Sequence, residues 1–232
     1  MLLDLWNSYL YEPLLNALIW IYNGWAEGNM GWSVVYLTVL LRLALLPLTL
    51  LSFRNDARNV DLNEEIDKLA GEFKYDPVLQ KEEVRRRLKA KKIRPWAKAL
   101  SLGIQGLVLL LLYQVFVGGI TGERLVKVLY SFVDFPGTIN RMFYGFDLLA
   151  SHTYFWPGIV GIWLFLEVYR GLKKQKRTFK RGDLFYLVLF PLGVFLFLWA
   201  IPMVKSIFVL SSMIFSFIVR ITIQPFFRNK KK

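Results

Sequence analysis

Long apolar stretches separated by basic segments constrain this chain more than any other feature of its sequence. Five such stretches run over residues 31–53, 99–118, 151–170, 184–201 and 206–223. Each is roughly 20 residues long, and at ~1.5 Å rise per residue that is enough for a helix to cross a hydrocarbon core ~30 Å thick. Backbone that faces lipid must satisfy its hydrogen bonds within its own segment, so these spans are expected to be helices. The expected fold class is therefore all-α: a polytopic membrane protein with five transmembrane helices, an interfacial helix and a helical hairpin between the first two spans. The fourth and fifth spans are joined only by residues 202–205, which makes them a tight helical pair.

The chain is 55% hydrophobic, yet 30 Lys and Arg against 17 Asp and Glu leave it at +13. So much apolar content argues against an ordinary soluble enzyme and excludes a disordered chain. The absence of Cys excludes a disulfide scaffold, a thiolate metal site and a catalytic thiol. The single histidine, His152, argues against a histidine-rich metal centre or a Ser–His relay. The expectation is a protein without enzymatic activity, metal or cofactor.

The basic residues are not spread evenly. In a five-span arrangement 24 of the 30 fall on one side, in segments 54–98, 170–181 and 228–232, while four fall on the other. The first 30 residues contain no Lys or Arg. The positive-inside rule then places the N-terminus outside and the C-terminus in the cytoplasm. Residues 1–30 read as an outer interfacial segment, with a helix over 13–23 begun by Pro13 and flanked by Trp6, Tyr9, Tyr11, Trp20 and Tyr22 at headgroup level. Residues 54–98 read as a charged cytoplasmic helical hairpin. Asp61 and Glu64 have the spacing of a capping box, and Asp76-Pro77 looks like an N-cap followed by proline at the first helical position. Residues 119–150 form an outer loop, 171–183 a cytoplasmic basic loop and 224–232 a basic tail.

Arg42 does not fit this pattern. It lies about ten residues from either end of the first span, ~15 Å from each interface. An arginine at such depth costs at least ~2.5–3.5 kcal/mol. No Asp or Glu lies at similar depth, so the charge is expected to face water. Thr38 lies one turn away on the same face, and Gln105, Ser211 and Ser212 offer polar groups from other spans. Together they are read as the lining of a hydrated groove open to the cytoplasm. In such a groove a polypeptide tail would leave bulk water in two smaller steps, and its apolar helix would slide out into lipid without ATP or covalent chemistry. The alternative use of a deep cation is an anion channel or transporter, although no inverted repeat or paired broken helices support it.

The segment from Gly31 to Thr49 resembles the YidC-type membrane protein insertases of the YidC/Oxa/Alb superfamily. Those proteins carry Gly-Trp at the span entry, then Thr, Arg four residues later and a Pro-Leu-Thr element; here these are Gly31-Trp32, Thr38, Arg42 and Pro47-Leu48-Thr49. The elements Glu12-Pro13-Leu14-Leu15 and Trp20-Ile21-Tyr22 are similar to the family's outer amphipathic helix. Gln105, Gly145-Phe146-Asp147-Leu148, and Pro191 and Pro202 enclosing Trp199 also match. Arg94-Pro95-Trp96-Ala97-Lys98 departs from the family's Asn-Pro-Leu-Gly-Gly, Ser211-Ser212 replaces Ser-Asn, and Phe208 replaces a Tyr. The resemblance implies a minimal five-span insertase and chaperone of the bacterial plasma membrane. It implies nascent membrane proteins as substrates and the Sec translocon, the signal recognition particle pathway and the ribosome as candidate partners. The basic loop and tail would meet anionic lipids or ribosomal RNA phosphates.

Overall fold

A computed structural model of the chain describes residues 2–51, 78–79, 82, 85–86, 96–118, 122–174 and 181–228. The expected cytoplasmic hairpin, the middle of the 171–183 loop and the last residues of the tail lie outside the described residues. The described chain is mostly helical: α1 Leu2–Trp6, a π-helical turn Asn7–Tyr11, α2 Glu12–Gly24, α3 Met30–Ala44, α4 Trp96–Gly118, α5 Gly122–Val128, α6 Phe155–Lys174, α7 Arg181–Ala200 and α8 Val204–Arg228. One short antiparallel pair, β1 Met142–Phe143 with β2 Phe146–Asp147, departs from the all-α expectation. Its two-residue turn explains it. Tyr144 and Gly145 both have positive φ, 48° and 82°, the pattern that matches the twist of a tight hairpin.

Two helices among those described are long and apolar enough to cross a membrane, over Gly182–Ala200 and Val204–Thr222. Along α7, Phe185, Val188, Leu189, Leu192, Leu196 and Phe197 are all at least half exposed, an apolar surface that water would not tolerate and lipid would. α6 packs on α7 where Gly161 leaves room: a Cβ there would stand 3.4 Å from Phe195 Cβ and 3.7 Å from the Pro191 carbonyl oxygen. α3 and the Gly103–Phe116 part of α4 are apolar but shorter.

Helix ends follow from local chemistry. The N-terminal helical run begins at Leu2 rather than at Pro13. The backbone N–H of Glu12 donates to the Asn7 carbonyl, a wide turn placed just before Pro13, which has no N–H to continue an α ladder. The first span, read from sequence as unbroken over 31–53, is interrupted: α3 stops at Ala44, Leu45 is a turn, and helix resumes over 46–51. Pro47 accounts for the break, because its ring would clash with the carbonyl four residues earlier, while it fits the first turn of the helix that follows.

The chain divides into two compact units, 1–41 with 107–214, and 42–106 with 215–232. In the first, α2 buries Leu14, Leu15, Leu18, Ile19, Ile21 and Tyr22, the spacing of one helical face, and leaves Pro13, Trp20 and Asn23 outside. Met30, Val34 and Leu37 of α3 and Leu111, Leu112 and Val115 of α4 join that core, with Met203 just before α8 and Val204 and Ile207 at its start. The segment between α5 and α6 is laced to the helices by polar contacts. Asn16 Nδ2 donates to the Val128 carbonyl at 3.0 Å while its Oδ1 accepts from the Tyr130 N–H at 2.7 Å. Asn23 Nδ2 donates to the Asp134 carbonyl, and the Tyr22 hydroxyl accepts from the Asn140 N–H. At its other end the segment meets the α7–α8 turn: the N–H groups of Val204, Met203 and His152 donate to the carbonyls of Leu148, Ala150 and Trp199.

Aromatic rings form a connected series within this unit. Trp20 lies 5.3 Å from Trp25, Trp25 6.5 Å from Tyr36, and Tyr36 6.0 Å from Trp32. Trp32 meets Phe143 at 5.8 Å, Phe143 meets Trp156 at 5.6 Å, and Trp156 meets Phe155 at 5.4 Å. Amphipathic rings of this kind concentrate where an apolar layer meets water. The second unit holds the end of α3, residues 46–51, the first half of α4 and the second half of α8. There Thr49 and Thr222 donate their hydroxyls to the carbonyls of Leu45 and Ile218 on their own helices, so neither adds an unpaired polar group to an apolar surface.

Candidate functional site

Arg42 lies on the last turn of α3, half-buried, and is the one charged residue in that helix. Among the described residues no carboxylate is paired with its guanidinium. Thr38, one turn earlier, is 1% exposed, and its hydroxyl donates to the Val34 carbonyl at 2.6 Å. Its donor is therefore committed to its own helix, and only its lone pairs are left to receive a partner. Ser212 on α8 is fully buried and its Oγ has no hydrogen-bond partner among the described residues, while Ser211 beside it is partly exposed. Gln105 on α4 is partly exposed. Thr38, Ser211 and Ser212 belong to the first compact unit, Arg42 and Gln105 to the second. Among the described residues no three His, Asp or Glu side chains come together in a way that could hold a metal ion.

The start of the arginine-bearing helix is fixed with care. Asn29 caps α3: its Oδ1 accepts from the N–H of Gly31 at 3.0 Å and of Trp32 at 3.2 Å. Its Nδ2 donates to the Met142 carbonyl, and the Met30 N–H donates to the Asn140 carbonyl. Gly31 has no alternative residue, since a Cβ there would overlap the ring of Phe143, itself only 4% exposed. Sequence reasoning singled out Gly31-Trp32 but not Asn29. Its signal was present, an Asn immediately before a helical apolar run.

Two further residues went unnoticed as a pair. Lys205, at the start of α8, is 4% exposed, and its ammonium stands 3.5 Å from the centre of the Tyr113 ring on α4. The next residue, Gln114, accepts a 2.7 Å hydrogen bond from Trp6 Nε1, which assigns that polar side chain a structural task. A cation over an aromatic face contributes about 0.5–2 kcal/mol, more when desolvated. Tyr113→Leu is therefore expected to lower the unfolding midpoint of the purified protein in detergent, while Tyr113→Phe, which keeps the ring face, leaves it near wild type. Equal midpoints for Leu and Phe variants would show that the ring face contributes nothing.

Comparison with known proteins bears on what this arrangement serves. The family model described as 60Kd inner membrane protein matches residues 20–231. The membrane protein insertase YidC of Ralstonia nicotianae is 31% identical over 115 residues, 50% of this chain and 20% of that protein. Its counterpart in Cereibacter sphaeroides strain ATCC 17029 is 33% identical over 110 residues, 47% of this chain and 17% of that protein. The one in Aromatoleum aromaticum is 27% identical over 164 residues, 70% of this chain and 27% of that protein. The aligned stretches thus cover only 17% to 27% of these relatives' own length. The family match, in contrast, runs from within α2 to beyond α8 and takes in Arg42, Thr38 and the capped entry of α3. By that match, the chain belongs to the 60Kd inner membrane protein family, the YidC/Oxa/Alb family that its first span resembles.

Proposed function

We propose that this protein inserts other proteins into a membrane and assists their folding, through a hydrated groove centred on Arg42. The observation that carries this reading is one cation, without a carboxylate partner among the described residues, on an otherwise uncharged apolar helix in a chain of this family. A charge so placed is retained for what it attracts rather than for stability. The polar tail of a substrate entering from the cytoplasm would be held by the guanidinium, while Gln105, Ser211, Ser212 and the lone pairs of Thr38 supply hydrogen-bonding partners. The adjoining apolar helix of the substrate would pass directly into lipid. Each step is a partition between phases, with no bond made or broken.

In this reading five spans cross the bilayer. They are α3 with residues 46–51, then α4, α6, α7 and α8, with the N-terminal helices and the 129–152 segment outside. The charge asymmetry of the sequence supports that orientation, and the ring series from Trp20 to Phe155 suits the outer boundary. The segment 54–98 would receive substrates or targeting factors, with the Sec translocon, the signal recognition particle and the ribosome as candidates. The basic loop and tail would rest on anionic headgroups.

Photo-crosslinking tests the groove. A photoreactive side chain at Ser211, and separately at Thr38, is expected to capture a stalled nascent membrane protein, whereas the same group at the exposed Leu189 of α7 is expected to capture lipid instead. Absence of substrate adducts from both groove positions would remove the groove.

A further inference from the structure

We propose that Phe143 and Asn29 are positioning residues that set how far α3 sits along its own axis, and so the depth of Arg42. This rests on the reading of Arg42 as the cation of a substrate groove.

A helix in lipid has little to hold it axially, because one apolar side chain is as much at home at a given depth as the next. α3 carries no charge before Arg42, so besides the packing of its buried face the groups that can hold it axially lie at its ends. At the far end the helix stops at the Leu45 turn. At the near end three contacts converge on three successive residues. Asn29 binds the Met142 carbonyl, Met30 binds the Asn140 carbonyl, and Phe143 fills the space that a side chain at position 31 would occupy. Asn140 is itself held, since its N–H donates to the Tyr22 hydroxyl on α2. The hairpin is thus braced from α2 and bears on α3.

The Phe143 contact acts as a detent. Gly31 is the only glycine of α3. A screw displacement by one residue, ~1.5 Å along the axis with a turn of ~100°, would bring the side chain of Met30 or Trp32 to the place of the open glycine backbone. The ring and the glycine therefore define one axial position. Arg42 lies eleven residues further along the same helix, ~16 Å from the clamp, and α-helical backbone transmits an axial displacement over that length with little loss. A guanidinium moved by a few ångströms would no longer meet a substrate tail at the same depth.

The chain has no cysteine, which makes the test direct. A single cysteine is introduced by Leu41→Cys in the full chain, reconstituted in sealed vesicles. Its reaction rate with a membrane-impermeant maleimide is measured from each side. Insertion of a single-span substrate is measured in parallel. In Phe143→Ala and in Asn29→Ala the labelling rate is expected to change several-fold and insertion to fall. Phe143→Tyr, which keeps the ring, is expected to restore both, whereas Asn29→Asp, which keeps the capping oxygen but loses the amide donor to the Met142 carbonyl, is expected to restore them only in part. Asn29→Ala removes hydrogen bonds without opening the core, and decides the matter if Phe143→Ala does not accumulate. Unchanged labelling in a variant present at normal level overturns the proposal, as does shifted labelling with full insertion. Loss of insertion with unchanged labelling would reduce both residues to a purely structural part. If Arg42→Ala itself inserts substrate normally, the groove reading fails, while the labelling rates still decide whether the clamp exists.

Discussion

Insertion of a single-span, N-out substrate with a charged tail is expected to fall about tenfold or more when Arg42 is replaced by alanine, since a loss of ~1.4 kcal/mol at the rate-limiting encounter is one factor of ten. The estimate is conservative. Two unit charges ~4 Å apart interact by ~4 kcal/mol in a partly solvated site. Arg42→Lys keeps the charge and loses the planar fork, so a smaller drop is expected. Stability should move the opposite way. A cation without a carboxylate partner among the described residues, on an apolar helix, opposes burial, so Arg42→Leu is expected to raise the unfolding midpoint while lowering insertion as the alanine variant does. Protease-protection assays with vesicle-reconstituted protein read the first effect, and thermal unfolding in detergent reads the second. Wild-type insertion by the alanine variant at normal protein level would take Arg42 out of the mechanism.

Asn16→Leu is expected to destabilise the first compact unit by about 2–4 kcal/mol, because leaving a buried donor or acceptor unpaired costs ~1–3 kcal/mol each. Asn16 is 3% exposed and bonds the Glu12 and Val128 carbonyls and the Tyr130 N–H. Leucine fills a similar volume and satisfies none of them. Asn16→Asp keeps an acceptor for the Tyr130 N–H but loses both donated bonds, and should fall between the two. Amide exchange at Tyr130 should quicken in the leucine variant ahead of amides in α7. An unfolding midpoint equal to wild type would show that the 129–152 segment is held by other contacts.

The helices that cross apolar surroundings were legible because their signal is local. α7 and α8 are long apolar runs on either side of Pro202, and composition suffices to find them. Membership of the family was legible for the same reason, since Gly31-Trp32, Thr38, Arg42 and Pro47 sit within one helical segment. The lacing of the 129–152 segment was not. Asn16, Asn23 and Asn29 each reach a residue more than one hundred positions away. A lone Asn on an apolar helix gives no sign of where its partner lies. The helix read over 13–23 corresponds to α2, Glu12–Gly24, with Pro13 in its first turn, but the helical stretch over 2–11 before it was not legible, because a wide turn carries the helix across the proline that reads as a start signal. The break at Leu45 was written in Pro47, but the apolar run around it outweighed the proline. Of the residues proposed to line a groove, Arg42 stands out in the sequence by its misfit to its surroundings. The commitment of the Thr38 hydroxyl to the Val34 carbonyl depends on a rotamer, which no residue pattern encodes.

The ring series has an optical consequence. Trp20, Trp25, Trp32 and Trp156 belong to one connected set of aromatic contacts, so at least four of the eight tryptophans of the chain share it. Chromophores this close couple their transitions and exchange excitation, so their near-ultraviolet circular dichroism belongs to the set rather than to any one indole. Loosening at a single link, such as the contact of Phe143 with Trp32, should alter the band of the whole series. The protein thus carries an intrinsic spectroscopic reporter of how firmly its hairpin is seated, readable without a label and in a native lipid environment.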